Sequence, residues 1–139
     1  MTFEIHPLSD ALGAEIIGLD VGMPLDPETF SKVHQAHLDH LVVVFRGQDL
    51  TPQQQIDFST CFGPLDRHPA DDAVVLEYPD ILIVSTKREN GAYVGVPDGG
   101  PMWHSDLAYK EKTALGSMLY GIEIPEQGGN TGFANMYMA

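Results

Sequence analysis

Glycines and prolines divide this sequence into short segments, and the division limits the fold to short helices and strands. Two of the segments begin as helices do. Asp26 precedes a proline as an N-cap residue would, and Thr51 is spaced from Gln54 as in a capping box. The sequence therefore predicts a first helix that ends near His40 and a second that ends before Gly63.

The other apolar segments predict strands, because they alternate in polarity or are rich in β-branched residues. The run 41–45 is continuous and suits a buried strand. Residues 89–101 hold four glycines and two prolines and are predicted to form a loop. The further predicted strands are two within residues 3–19, one at 81–85, one at 117–124 and one at 131–135. The pattern predicts a mainly β protein with peripheral helices, in the α+β class.

The composition is that of one globular domain covering residues 1–139. Hydrophobic residues make up 43% of the chain and charged residues 19%, which argues against a disordered or fibrous protein. Acidic residues outnumber basic ones 20 to 7, for a formal net charge of -13. This charge offers no basic footprint for nucleic acid and disfavours docking on an anionic membrane. A small-molecule substrate stays open, because its recognition depends on local charges.

The single cysteine, Cys61, excludes an intramolecular disulfide and a cysteine-rich zinc site. It falls in the second predicted helix, where a buried structural thiol is expected rather than a nucleophile. The N-terminal residues carry no positively charged region followed by an apolar run, and no apolar stretch of about 18 residues occurs. We therefore expect a cytoplasmic, reducing setting, with neither a secretion signal nor a membrane anchor.

The segment Trp103–Asp106 says most about chemistry. On a strand, side chains two residues apart point to the same face, so His104 and Asp106 would project together. An imidazole and a carboxylate that converge can supply two of the three ligands of a facial triad, which binds non-heme Fe(II) and leaves positions open. The alternative that the pair leaves open is a surface or core histidine with a nearby acid.

The remaining histidines give weaker signals. His34, His37 and His40 recur every third residue on the first predicted helix, where one pair could chelate a metal, but a partly exposed polar face is the better interpretation. His68 lies in a predicted loop, either as a substrate contact or as a solvated side chain. The stretch 128–132 is glycine-rich but lacks the lysine and the following helix of a phosphate-binding loop, so a hairpin turn explains it better.

Several blocks of the sequence follow one another in a familiar order, namely residues 41–48, 51–55, 62–65, 103–106 and 125–133. Together they resemble the TauD/TfdA family, the taurine dioxygenase group of Fe(II)- and 2-oxoglutarate-dependent dioxygenases. The resemblance covers nearly the whole chain. It implies a double-stranded β-helix, a jelly-roll related to cupins. Residues 1–139 would be the N-terminal portion of that domain, incomplete at the C-terminus.

The resemblance also implies roles for individual residues. His104 and Asp106 would be iron ligands, and Thr131 would contact a carboxylate of the cosubstrate 2-oxoglutarate. His68 would contact the acidic group of the substrate, and the backbone around Leu107 would line the same pocket. The implied reactants are O2, 2-oxoglutarate and a small acid, either a taurine-like sulfonate or a carboxylate.

The chain departs from the family pattern at two positions that shape the substrate. Gly100 stands where taurine-using members carry an asparagine, and Asp71 stands where they carry an aromatic residue. The substrate class therefore stays open. Family members are about twice as long, and their distal histidine ligand and the arginine that anchors 2-oxoglutarate lie in the later half. No histidine or arginine follows Asp106 in this sequence.

The sequence leaves three functional interpretations. The first is a truncated dioxygenase without independent activity, because two ligands hold iron weakly and the cosubstrate lacks its charged clamp. Its open sheet edges could also drive homo-oligomer formation. The second is a non-catalytic, cupin-like module that binds a metal or a small molecule through His104 and Asp106. The third is a non-catalytic partner or a decayed gene product.

Overall fold

The structure is a computed structural model, and it describes residues 2–66, 74–75, 77–97 and 102–139. The chain divides into two compact units. The first unit comprises Met1–Phe62 together with Gly121–Ala139, and the second comprises Gly63–Tyr120. The single domain expected over the whole chain stays a prediction.

The first unit contains a three-stranded sheet. Strand β1 (Glu4–Pro7) pairs antiparallel with β2 (Ala14–Ile17), and β2 pairs in parallel with β3 (Val43–Val44). Gly13 allows the turn between β1 and β2, since its φ of 92° is one that side chains disfavour. The two early strands are confirmed, whereas the predicted run 41–45 pairs over two residues.

Helix α1 (Pro27–His40) follows the prediction at both ends. Its N-cap is Asp26, whose Oδ1 accepts hydrogen bonds of 3.0 Å from the backbone N–H groups of Glu28 and Thr29. The helix stops because Leu41 turns left-handed, with φ at 66° and its N–H donated to the His37 carbonyl at 2.7 Å.

Helix α2 (Pro52–Thr60) begins with the predicted capping box between Thr51 and Gln54. The Gln54 side chain also donates to the Gly22 carbonyl at 2.9 Å, which ties the helix to the loop after β2. The expected burial of Cys61 is wrong. The helix ends one residue before Cys61, so this residue becomes the exposed C-cap.

The core of the first unit lies between the sheet and the two helices. Its centre is an aromatic cluster in which Phe58 and Phe62 meet edge to face at 5.6 Å. His34 and His37 stand edge-on to Phe62, at 5.9 and 6.2 Å. The expected partly exposed face agrees with the half-buried state of both histidines, and their contacts with Phe62 add packing that the sequence did not predict. The buried apolar residues are Ala14, Ile16, Leu19, Val21, Val33, Ala36 and Phe58.

The second unit contains two antiparallel pairs: β4 (Val74–Val75) with β5 (Tyr78–Leu82), and β6 (Arg88–Glu89) with β7 (Ala92–Tyr93). The β6–β7 hairpin corrects the loop predicted over residues 89–101. Asn90 and Gly91 have φ values of 50° and 86°, as a two-residue hairpin turn of type I′ requires. The strand predicted at 81–85 begins earlier and ends at Leu82.

Residues 102–139 form neither helix nor strand, so the strands predicted at 117–124 and 131–135 are wrong. A strand is stable only when its backbone pairs with a neighbour, and the described strands do not pair with these segments. No closed barrel forms among the described residues, and the jelly-roll stays a prediction. The large apolar side chains that this segment exposes are Met102, Trp103, Tyr109, Leu115, Leu119, Ile122, Ile124, Phe133, Met136, Tyr137 and Met138.

Neither helix in the described part of the chain has the length and apolar character needed to cross a bilayer.

Candidate metal centre

The His-x-Asp motif lies on an irregular segment that leads into a turn, and not on a strand. The turn begins at Asp106. Leu107 has a φ of 51°, which bends the chain away from an extended path, and its carbonyl accepts the N–H of Lys110 at 3.0 Å. A left-handed leucine is strained, and such strain is common beside functional groups. The turn, rather than strand alternation, sets the direction of the Asp106 side chain.

The turn nevertheless brings the two donors together. Nε2 of His104 lies 3.1 Å from Oδ1 of Asp106, with the side chains 48% and 52% exposed. Two ligands that each lie about 2.1 Å from one ion, at a right angle, are about 3.0 Å apart. The two donors are therefore as far apart as neighbouring ligands of one divalent ion, in a contact that is also an ordinary imidazole–carboxylate hydrogen bond. Their assignment as a ligand pair stays a prediction.

Each of the two side chains makes a second hydrogen bond through its other polar atom. Nδ1 of His104 lies 2.7 Å from the Met102 carbonyl, which can only accept, so we place a proton on Nδ1. The second carboxylate oxygen of Asp106, Oδ2, accepts a short hydrogen bond from the Ser117 hydroxyl. Metal ligands in proteins are commonly oriented by partners of this kind.

These contacts also affect protonation. The hydrogen bond to the Met102 carbonyl raises the pKa of His104 above its usual value, desolvation opposes this, and the nearby Asp106 carboxylate adds to the rise. A proton on Nε2 would compete with a metal ion for the same lone pair.

A further ion pair lies close to the motif in sequence. Nζ of Lys110 contacts Oδ1 of Asp66 at 2.6 Å, which joins the end of the Asp106 turn to the segment that enters the second unit. Within the described ranges, no group of three or more histidine, cysteine, aspartate or glutamate side chains is arranged to hold a metal ion. The described residues thus offer two neighbouring donors.

The other predicted site residues are distributed over the chain. Thr131 belongs to the first unit, and its side chain is exposed. In the chain it comes shortly after Gly128 and Gly129, whose φ values are left-handed. Leu107 lies in the turn beside Asp106, with its side chain half-buried. His68 lies outside the described residues.

Two partners of the motif were missed from the sequence. The Met102 carbonyl has no side-chain signal, and Ser117 lay in a segment predicted to be a strand. A serine eleven residues beyond Asp106 follows no spacing rule, so only the three-dimensional structure reveals the contact.

An imidazole and a carboxylate held side by side are donors of the kind that non-heme metal-dependent oxygenases use. Comparison with known proteins identifies the family. A family model described as "Taurine catabolism dioxygenase TauD, TfdA family" matches residues 4–139. The chain belongs to this family.

Individual relatives agree with the family match. The chain is 32% identical to an (S)-phenoxypropionate/alpha-ketoglutarate-dioxygenase from Delftia acidovorans, over 99% of this chain and 48% of that protein. It is 33% identical to an alkylsulfatase from Acinetobacter baylyi, over 95% of this chain and 39% of that protein. The chain thus spans about half the length of the curated relatives it matches, or less.

The fold has solved counterparts as well. A Burkholderia xenovorans structure assigned as an alpha-ketoglutarate-dependent taurine dioxygenase matches with a TM-score of 0.56 and 36% identity. The match covers 63% of this chain and 32% of that one. The described fold therefore corresponds to part of a taurine-dioxygenase fold.

Proposed function

We propose that this chain supplies the His104–Asp106 ligand pair of an Fe(II)- and 2-oxoglutarate-dependent dioxygenase that acts on a small acidic substrate. The observation that carries the proposal is the 3.1 Å approach of His104 Nε2 to Asp106 Oδ1 in a chain of this family. An imidazole nitrogen and a carboxylate oxygen are the donors of the two-histidine, one-carboxylate iron site.

The residues of the pair have separable tasks. With its Nδ1 proton donated to Met102, His104 can present the Nε2 lone pair to the metal. Asp106 presents Oδ1 and supplies a negative charge that offsets part of the charge on the ion. When bound, Fe(II) would supply the oxidation chemistry that couples 2-oxoglutarate and O2 to the substrate.

We assign the reactant contacts to residues that the family pattern marks. Thr131 would bind a carboxylate of 2-oxoglutarate, His68 would bind the acidic group of the substrate, and the backbone at Leu107 would line the pocket. The names of these relatives refer to a phenoxypropionate, an alkyl sulfate and taurine. Each of these compounds carries an acidic group, which supports an anionic substrate.

We further propose that the 139 residues alone do not turn over 2-oxoglutarate. The sequence contains no histidine or arginine after Asp106 to act as the distal ligand and the cosubstrate clamp. Residues 102–138 also expose eleven large apolar side chains. A covering polypeptide surface would satisfy both needs.

The ligand pair can be tested by Co(II) titration, followed through the fluorescence of Trp103. Trp103 is the only tryptophan of the chain and precedes His104, so a paramagnetic ion bound there should quench it. We expect saturable quenching that His104→Ala and Asp106→Ala each weaken at least tenfold.

The chain offers a matched control. His6 and Glu4 form a second exposed pair with the same spacing, at 2.8 Å, on strand β1. His6→Ala should leave the Trp103 titration unchanged. Equal quenching of the wild type, His104→Ala and Asp106→Ala would show that the ion binds elsewhere and would overturn the proposal.

Turnover is measured as succinate formed from 2-oxoglutarate with Fe(II) and O2. We expect none above background from this chain alone. Succinate formation that disappears in His104→Ala would show that the chain is catalytically complete.

A further inference from the structure

The carboxylate of Asp106 has two oxygens with different partners. Oδ1 faces Nε2 of His104 at 3.1 Å, whereas Oδ2 accepts the hydrogen bond from the Ser117 hydroxyl. The two contacts lie on opposite oxygens and together fix the plane of the carboxylate. Asp106 is thus oriented by a residue that lies outside its own turn.

Packing alone does not orient this carboxylate. The side chains of His104 and Asp106 are about half exposed, and Ser117 is exposed as well. Side chains with this much freedom sample several rotamers unless a directional contact selects one. The neighbouring backbone sets the start of the side chain through the left-handed Leu107 but leaves its end free to rotate.

His104 is oriented in a comparable way. Its Nδ1 is tied to the Met102 carbonyl at 2.7 Å, which leaves Nε2 facing Asp106. Each donor therefore has one atom directed toward its partner and one atom held from behind. In metal sites, outer partners of this kind select the tautomer of a histidine and the rotamer of a carboxylate.

We propose that Ser117 is a positioning residue, which holds Oδ2 of Asp106 so that Oδ1 alone is presented to the metal ion. The inference rests on the proposed function of the His104–Asp106 pair. Binding through one oxygen uses one coordination position and leaves more positions for the cosubstrate and oxygen. A carboxylate released from Ser117 can rotate or bind through both oxygens, which changes the number of ligands around the ion.

Loss of the Ser117 hydroxyl should weaken metal binding without changing the stability of the fold. A hydrogen bond between exposed groups exchanges with water at little net change in stability. Ser117→Ala should therefore leave the urea unfolding midpoint unchanged. Its Co(II) affinity should fall about tenfold to a hundredfold, the range found when outer partners of metal ligands are removed.

The experiment compares Co(II) binding by the whole chain and four variants, through Trp103 quenching and the visible absorption of the bound ion. We expect Ser117→Ala to bind at least tenfold more weakly and to show a shifted absorption spectrum. Ser117→Thr, which keeps the hydroxyl, should restore both properties to within about twofold. Ser105→Ala is the matched control, since this exposed serine lies between the two ligands, and it should behave as the wild type.

The outcomes distinguish the two levels of the proposal. If Ser117→Ala binds Co(II) like the wild type while Asp106→Ala does not, the positioning role is wrong and the ligand pair stands. If Ser117→Thr fails together with Ser117→Ala and both unfold at lower urea concentration, the serine is structural and the positioning role is likewise wrong. If Asp106→Ala binds Co(II) as the wild type does, the proposed ligand pair is wrong and the positioning role falls with it.

Discussion

Replacing Phe58 by alanine should remove much of the stability of the first unit. The Phe58 ring points from α2 into the core and is 4% exposed. It meets Phe45 and Phe62 edge to face at 5.5 and 5.6 Å. Alanine would leave a cavity where two other aromatic rings lose their partner.

The magnitude follows from the buried area. A phenylalanine buries about 200 Å², and at about 25 cal/mol per Å² this corresponds to about 5 kcal/mol as an upper bound. Measured replacements of buried phenylalanine by alanine cost about 3–5 kcal/mol. We expect a loss of about 4 kcal/mol in the free energy of unfolding. Since natural domains of about 80 residues are stable by roughly 4–12 kcal/mol, the variant should lie near its folding limit.

The assay is urea unfolding followed by far-ultraviolet circular dichroism, because α1 and α2 both lie in the first unit. Phe58→Leu keeps most of the volume and should lose about 1–1.5 kcal/mol. Tyr137→Ala, at a residue that is 88% exposed, should change stability by less than about 0.5 kcal/mol. A loss below about 1 kcal/mol for Phe58→Ala, with an unchanged m-value, would refute the placement of Phe58 at the centre of this core.

Two further predictions concern the hairpin and the helix histidines. Gly91→Ala should open the β6–β7 hairpin at a cost of about 1–2 kcal/mol, because Gly91 has a φ of 86°. The NMR signature of the Arg88 guanidinium stacked 3.9 Å from the Tyr93 ring centre should then disappear. Persistence of that signature would contradict the turn. Burial, and after it the charge of His34, lowers the pKa of His37 below the usual 6.5. Between the folded and the unfolded pKa of His37, the unfolded chain therefore binds more protons than the folded chain. The contribution of His37 to stability is present above about pH 6.5 and is lost as the pH falls through the lower folded pKa. The urea midpoint should fall more for the wild type than for His37→Leu between about pH 7.5 and about pH 5.5, and equal falls would exclude this origin.

The helices could be predicted because their ends depend on local chemistry. The Asp26 carboxylate bonds to N–H groups two and three residues away, and Thr51 and Gln54 cap each other within one turn. These contacts need no information about the rest of the fold. The packing of His34 and His37 on Phe62 could not be predicted, for the opposite reason: Phe62 comes from beyond the end of α2.

The strands also differ in whether local sequence or a distant partner determines them. Asn90-Gly91 is a strong signal for a hairpin turn. The many glycines and prolines of residues 89–101 favour a loop, and this composition outweighed the local signal in the prediction. The segments at 117–124 and 131–135 have suitable residues, but a strand also needs a partner at hydrogen-bonding distance. Residue type alone cannot supply that partner, and the described strands do not pair with either segment.

His104 and Asp106 approach each other for a reason that differs from the one the sequence suggested. His104 and Asp106 converge at a turn, whereas Glu4 and His6 converge at 2.8 Å on a true strand. A spacing of two residues can therefore bring an imidazole and a carboxylate together in either conformation, which explains why the pairing was predicted despite the wrong backbone. It also explains why the spacing alone is a weak sign of a metal site. The contacts behind the donors are more informative: a backbone carbonyl on one ligand and Ser117 on the other fix the direction of both. The Ser117 variants test whether the contact on Asp106 affects metal binding.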